Sequence, residues 1–159
     1  MITTLTFSST LAAPPETVWR WITSFDGIAR EMSPLMRMSA PADMRDLSAI
    51  DFRPGVPMFR SWIRLGGMLP VDYSDLTLLE LTPGVGFVEQ SAMGSMRLWR
   101  HERRIAPLAS GCRLTDTLTF EPRFGGRLAV AVVRRLFTHR HRQLRKHLGE
   151  TSTSLPRGR

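Results

Sequence analysis

The chain has 159 residues, 42% hydrophobic and 23% charged, with a formal net charge of +8 and a single cysteine. These values suit one soluble domain with one core; they exclude a disulfide framework, a multi-cysteine metal site and a largely disordered chain. No stretch approaches the roughly 18 apolar residues of a membrane span. Met1-Ile2-Thr3-Thr4-Leu5-Thr6 lacks the basic start and apolar run of a secretion signal, so a cytoplasmic protein is expected.

Ile2 to Leu11 alternates as a strand, with Leu5, Phe7, Ser9 and Leu11 on the face expected to point inward. Pro14 and Pro15 end it and suit the first turn of a helix, where a missing N–H costs nothing; Val18, Trp21, Ile22 and Phe25 then recur at helical spacing. Asp26-Gly27 is expected to break this helix. A second short helix, about Ile28 to Met32, should end before Ser33-Pro34, because the residue before a proline disfavours helical geometry. Pro54-Gly55, Gly66-Gly67, Pro83-Gly84, Gly94 and Ser110-Gly111 punctuate the following stretch at hairpin-like intervals. They predict strands near Met44–Phe52, Pro57–Gly66, Val71–Leu81, Val85–Ala92, Ser95–Ala106 and Cys112–Glu121. After Pro122 and Gly125-Gly126, the residues Leu128, Val132, Leu136, Phe137, Leu144 and Leu148 mark one side of a helix of about two dozen residues that ends at Gly149. Residues 1–149 thus read as one domain, and 150–159 as a polar, disordered tail.

The positive charge is concentrated in the last helix, at Arg134, Arg135, Arg140, Arg142, Arg145 and Lys146. It lacks the interleaved aromatics of a single-strand stacking platform and any recognised reading motif, so a solvated helix face is favoured over nucleic-acid binding. A peripheral lipid carrier that uses this helix to visit anionic membranes is retained as an alternative. Homodimerisation through an edge strand also stays open.

Strand, two helices, six strands and a long helix is the order of an α+β helix-grip fold, a seven-stranded curved antiparallel sheet wrapped around its C-terminal helix. The motifs are Pro14, Pro15, Val18 and Trp19; Glu89 ahead of Gly94; Trp99, His101 and Arg103; Asp116; and Arg140 with Leu144. In these the chain resembles the START-like (SRPBCC) superfamily, more narrowly its bacterial polyketide cyclase/dehydratase-like, ligand-binding branch, over about residues 3 to 148. Cys112 departs from the usual Gly-Thr, at a turn rather than in the cavity. The resemblance implies an internal cavity that binds a hydrophobic or amphipathic small molecule and, in a minority of members, cyclisation or dehydration.

Alternation puts Trp99, His101, Arg103 and Ile105 on one strand face, Leu114, Asp116, Leu118 and Phe120 on the next, and Phe87, Glu89 and Ser91 on the strand before. Glu89, His101, Arg103 and Asp116 are therefore expected to converge on one concave, mostly apolar surface, beside Phe87, Trp99, Ile105, Leu118, Phe120, Val132 and Leu136. Three roles stay open for the polar group. Asp116 and Arg103 form an internal ion pair that touches no ligand; or the group orients the polar end of a bound molecule; or His101, Arg103 and Asp116 carry acid/base chemistry, with Arg103 stabilising an enolate. Arg140 either reaches into the cavity or snorkels at its rim. His139 and His141 point about 200° apart on a helix and cannot share a metal; His141 is placed on a basic face with Arg145. The methionines are read as gap-filling core in preference to a plastic pocket entrance. With no dinucleotide fingerprint, phosphate loop, nucleophile elbow or zinc spacing, neither cofactor nor metal is expected.

Overall fold

Alternating side chains and Gly-marked turns produce one curled antiparallel sheet, as seen in the computed structural model, which describes residues 1–151. In chain order the elements are β1 (Thr3–Leu11), α1 (Pro15–Thr23), α2 (Phe25–Met32), β2 (Met36–Met38), a 3₁₀ turn (Leu47–Ala49), β3 (Pro57–Leu65), β4 (Leu69–Thr82), β5 (Gly86–Gln90), β6 (Ala92–Met93), β7 (Met96–Pro107), β8 (Cys112–Pro122) and α3 (Gly126–Leu148). Seven strands follow the path β1-β8-β7-β5-β4-β3-β2, and the two-residue β6 pairs with β4 off that path. The α+β helix-grip architecture expected from the sequence is the architecture observed.

Three local expectations are corrected. The break between the first helices falls at Ser24, which caps the end of α1 and the start of α2 and accepts a hydrogen bond from the Gly27 amide. Gly27 lies inside α2, where a Cβ would meet the Trp21 carbonyl oxygen at 2.2 Å, so the glycine permits close approach rather than a break. Met44–Phe52 is not a strand: the Asp46 carboxylate accepts from the Ser48 amide and caps a 3₁₀ turn, a local bond that competes with sheet pairing. Its place in the sheet is taken by Met36–Met38, paired to β3. The strand expected over Val85–Ala92 divides into β5 and β6 around Ser91, whose hydroxyl accepts from the Thr77 amide and donates to Glu89.

The register fixes the functional geometry. Pairing of β7 with β8 puts Arg103 opposite Asp116, and pairing of β5 with β7 puts Glu89 opposite His101. Cross-strand partners share a face, so the four side chains point into the curl. Gly86 permits β5 to lie this close to β7: its φ is 153°, and a Cβ there would stand 2.0 Å from the Arg103 carbonyl oxygen. Gly86→Ala should therefore lower the urea midpoint several times more than Gly84→Ala, whose Cβ would meet nothing within 4 Å and whose φ of 73° carries only the backbone penalty, about 1 kcal/mol. Equal midpoints for the two variants would refute the steric account.

Two apolar clusters pack against α3. One joins Leu11, Val18, Ile22, Leu78, Ile105, Leu114, Leu144 and Leu148; the other joins Met96, Leu118, Phe120, Val133 and Phe137. The buried stripe of α3 runs Val133, Phe137, Arg140, His141, Leu144 and Leu148, whereas Leu128 and Val132 stay exposed. At its C-terminal end the helix is tied back by bonds from the Ala12 and Ala13 amides to the Gly149 and Leu148 carbonyls. Glu150 bridges Leu11. The rest of the expected tail, 152–159, lies outside the described residues.

Candidate functional site

Arg103 projects from β7 into the centre of the curl and is fully buried. Its Nε and Nη2 donate to the two oxygens of Asp116 at 2.6 and 2.7 Å, and its Nη1 donates to both oxygens of Glu31 at 3.0 Å. Two bidentate contacts on one guanidinium are the strongest arrangement available to a buried arginine. Glu31, from α2, also accepts from Arg140 Nε at 3.0 Å and from Trp21 Nε1 at 3.2 Å. Two guanidiniums thus face two carboxylates, and the formal charge balances.

Around Asp116 the network continues to both histidines. His101 Nε2 lies 2.8 Å from Asp116 Oδ1 and His141 Nε2 lies 3.0 Å from Oδ2. A carboxylate only accepts, so in each ring Nε2 carries the hydrogen. Arg145 donates to the Ser9 hydroxyl at 2.9 Å, and Ser9 stands 2.7 Å from His141 Nδ1. On the other side, His101 Nδ1 is 3.7 Å from Glu89 Oε2.

Burial alone would raise the Asp116 carboxyl, but the Arg103 guanidinium and His101 outweigh it and hold the group well below the usual carboxylate range. Glu31 follows the same logic: burial raises it, and Arg103 and Arg140 bring it below its ordinary value. Burial opposes the charge on Arg103 as well, yet Asp116 and Glu31 raise its pKa overall.

Beside this network lies a cavity of about 470 Å³, within the range of small-molecule sites. Its lining is mostly apolar, with Met32, Met36, Met38, Met93, Met96 and Trp99 prominent. Val71, Phe124, Leu128 and Val132 border it and are exposed, so they form its mouth. The buried Ser74 hydroxyl, on a residue that also borders it, has no hydrogen-bond partner among the described residues. A second cavity of about 80 Å³ lies against the first, and the two share Met38, Glu89, His101 and Arg140.

Of the residues expected to contact a ligand, Glu89, Trp99, His101, Val132, Leu136 and Arg140 border the large cavity, and Phe87 borders the small one. Arg103 and Asp116 border neither: of the roles left open for them, the buried mutual ion pair is the arrangement present, and a position against the ligand space, as the binding and catalytic alternatives require, is not. Ile105, Leu118 and Phe120 share the inward face but are packed in the two apolar clusters, because α1 and α3 cover those parts of the sheet. Five methionines assigned to gap-filling border the cavity, and only Met32 and Met96 of them are buried.

Glu31 and His141 were missed. His141 was placed on the basic face with Arg145, but it is buried against Asp116, while His139 turns outward to the Ser33 carbonyl. The signal for His141 is its place in the 133-137-141-144-148 stripe; Glu31 carries no such local signal, because its arginine partners come from β7 and α3. Among the described residues no group of three or more His, Cys, Asp or Glu is arranged to hold a metal ion, and no helix is long and apolar enough to cross a membrane.

A curled antiparallel sheet gripping a C-terminal helix beside an apolar cavity is the START-like helix-grip fold. Within it, this chain belongs to the family described as Domain of unknown function (DUF8410), whose model matches residues 9–148. Protein CV1439 from Chromobacterium violaceum is similar in structure, with a TM-score of 0.70 and 17% identity over 93% of this chain and 99% of that one. Zhui aromatase/cyclase from Streptomyces sp. R1128 superposes with a TM-score of 0.68 and 14% identity over 93% and 94% of the two chains. A START superfamily protein from Mycobacterium smegmatis does so with a TM-score of 0.61 and 12% identity over 92% and 96%. At these identities the likeness is one of fold. No curated protein is similar to the chain in sequence.

Proposed function

We propose that this protein binds a small amphipathic molecule, with its apolar body in the 470 Å³ cavity and its polar group against Glu89, His101 and Arg140. The observation that carries this reading is a mostly apolar cavity meeting three polar side chains that are already held in place, His101 by Asp116, Arg140 by Glu31 and Glu89 by Ser91. Groups held in advance lose little freedom when a ligand arrives, so their bonds count nearly in full toward affinity. The fold shared with a START superfamily protein and an aromatase/cyclase supports the same reading.

Native mass spectrometry of the purified protein, followed by denaturing extraction, should identify a bound apolar or amphipathic compound. In parallel, the dye 1-anilinonaphthalene-8-sulfonate should bind at one site per chain. Val132→Trp, at the exposed mouth, should block it without loss of fold. An empty protein that also fails to bind the dye would overturn the reading.

A second reading, acid/base catalysis on a polyketide-like substrate, is favoured by the His101–Asp116 pair. The buried carboxylate holds the Nε2–H tautomer and leaves Nδ1 toward Glu89 and the cavity, the orientation a general base requires. In this version Arg140, not Arg103, is the guanidinium that a developing enolate would meet. His101→Ala should then abolish turnover of a cyclisable polyketide mimic, a loss of about 10²–10⁴-fold, while affinity for it is retained. No turnover by the wild-type protein across a panel of such mimics would remove this reading and leave the binding reading in place.

A further inference from the structure

We propose that the ligand's polar group is internal rather than terminal: a ketone or secondary hydroxyl oxygen that carries the apolar body on one side and a short alkyl arm on the other, the arm occupying the 80 Å³ cavity. The proposal rests on the binding reading above and adds the class of molecule. The polar side chains do not close off the far end of the binding space. Glu89, His101 and Arg140 border both cavities and so stand between two apolar volumes. Beyond them the smaller one is walled by Ile22, Phe25, Ile28, Leu47, Leu78 and Phe87.

A ligand ending in its polar group, such as a carboxylic acid, stops at this partition and leaves apolar surface unmatched beyond it. A carbonyl or hydroxyl oxygen set a few carbons from the chain end meets the polar trio and fills both spaces. The donor for it is Arg140: its Nε and Nη2 are engaged by Glu31, and its Nη1 is not. At about 80 Å³ against about 470 Å³, the smaller cavity suits a short arm, an ethyl or propyl group, and not a second long chain. Met38 is also part of the partition, and its unbranched side chain can swing aside to admit the arm.

The test is a homologous series of 2-naphthyl ketones carrying methyl, ethyl, propyl and pentyl arms, with 2-naphthaldehyde as the armless reference, titrated calorimetrically into the full chain. Affinity should rise about fourfold per carbon up to propyl and fall at pentyl. Ala29→Leu narrows the small cavity alone and should erase the rise while 2-naphthaldehyde binds as before. Ile28→Ala enlarges it and should move the optimum to longer arms, which keeps the idea testable if Ala29→Leu fails to fold. A flat series with 2-naphthaldehyde still binding, or a series that keeps its rise in Ala29→Leu, overturns the internal-oxygen proposal alone. Failure of the aldehyde and every ketone to bind while the dye still binds overturns it alone; failure of the dye as well, in a protein that carries no bound compound, overturns it together with the binding reading.

Discussion

Arg103→Met is expected to destabilise the protein by about 3–5 kcal/mol, a large part of the stability of an ordinary domain. The arginine is fully buried and donates two hydrogen bonds to Asp116 and three to Glu31. Its loss leaves Asp116 without its guanidinium, in a place water does not reach. The cost comes from the stranded charge, not from a large net gain of the intact pair, because desolvation offsets most of the attraction between buried ions. The double variant Arg103→Met/Asp116→Asn removes one charge of each sign and leaves Glu31 facing Arg140, so it should recover a substantial part of the loss. Urea denaturation followed by circular dichroism measures both variants. A single variant within about 1 kcal/mol of wild type, or a double variant that shows only the sum of two separate losses, would contradict the network described.

Asp116→Asn should cost about 3 kcal/mol at pH 7 and change the acid limb of the stability curve. An asparagine presents one accepting oxygen and one donating nitrogen where the carboxylate received Arg103, His101 and His141, so at least one donor meets a donor. The pKa of Asp116 lies well below its unfolded value near 3.9, and that of Glu31 also lies below its ordinary value. Their contribution is therefore complete above pH of about 5, where both states are ionised. It falls as pH drops through 4 and below, because the unfolded chain takes up the protons first. In Asp116→Asn that fall should be shallower by up to about 1.4 kcal/mol per pH unit. Chemical denaturation between pH 2 and 7 measures the slope, and parallel acid limbs for the two proteins would refute this assignment.

The face of each strand was legible because alternation is a local property. Alternation alone puts Glu89, His101, Arg103 and Asp116 on inward strand faces, and the register sets Arg103 opposite Asp116 and Glu89 opposite His101. What each inward residue touches was not legible. Trp99 and Ile105 occupy equivalent positions on one strand face, yet one borders the cavity and the other is packed among Leu11, Val18 and Ile22. Strand periodicity gives direction but carries nothing about which helix lies above.

The sequence by itself determined the order of elements, the α+β helix-grip class, and an inward polar group set among apolar neighbours, since each follows from short-range periodicity and turn chemistry. Only the tertiary structure decided what that group touches. Glu31 comes from a helix 72 residues before Arg103, and His141 from a helix 25 residues after Asp116. Together they turn a two-residue ion pair into a closed network in which His101 and Arg140 border the cavity while Arg103 and Asp116 are buried and border neither cavity. The physical reason is that a buried charge must be matched by whatever opposite charge folding brings to it. That match depends on the packing of the helices against the sheet, which no local pattern encodes.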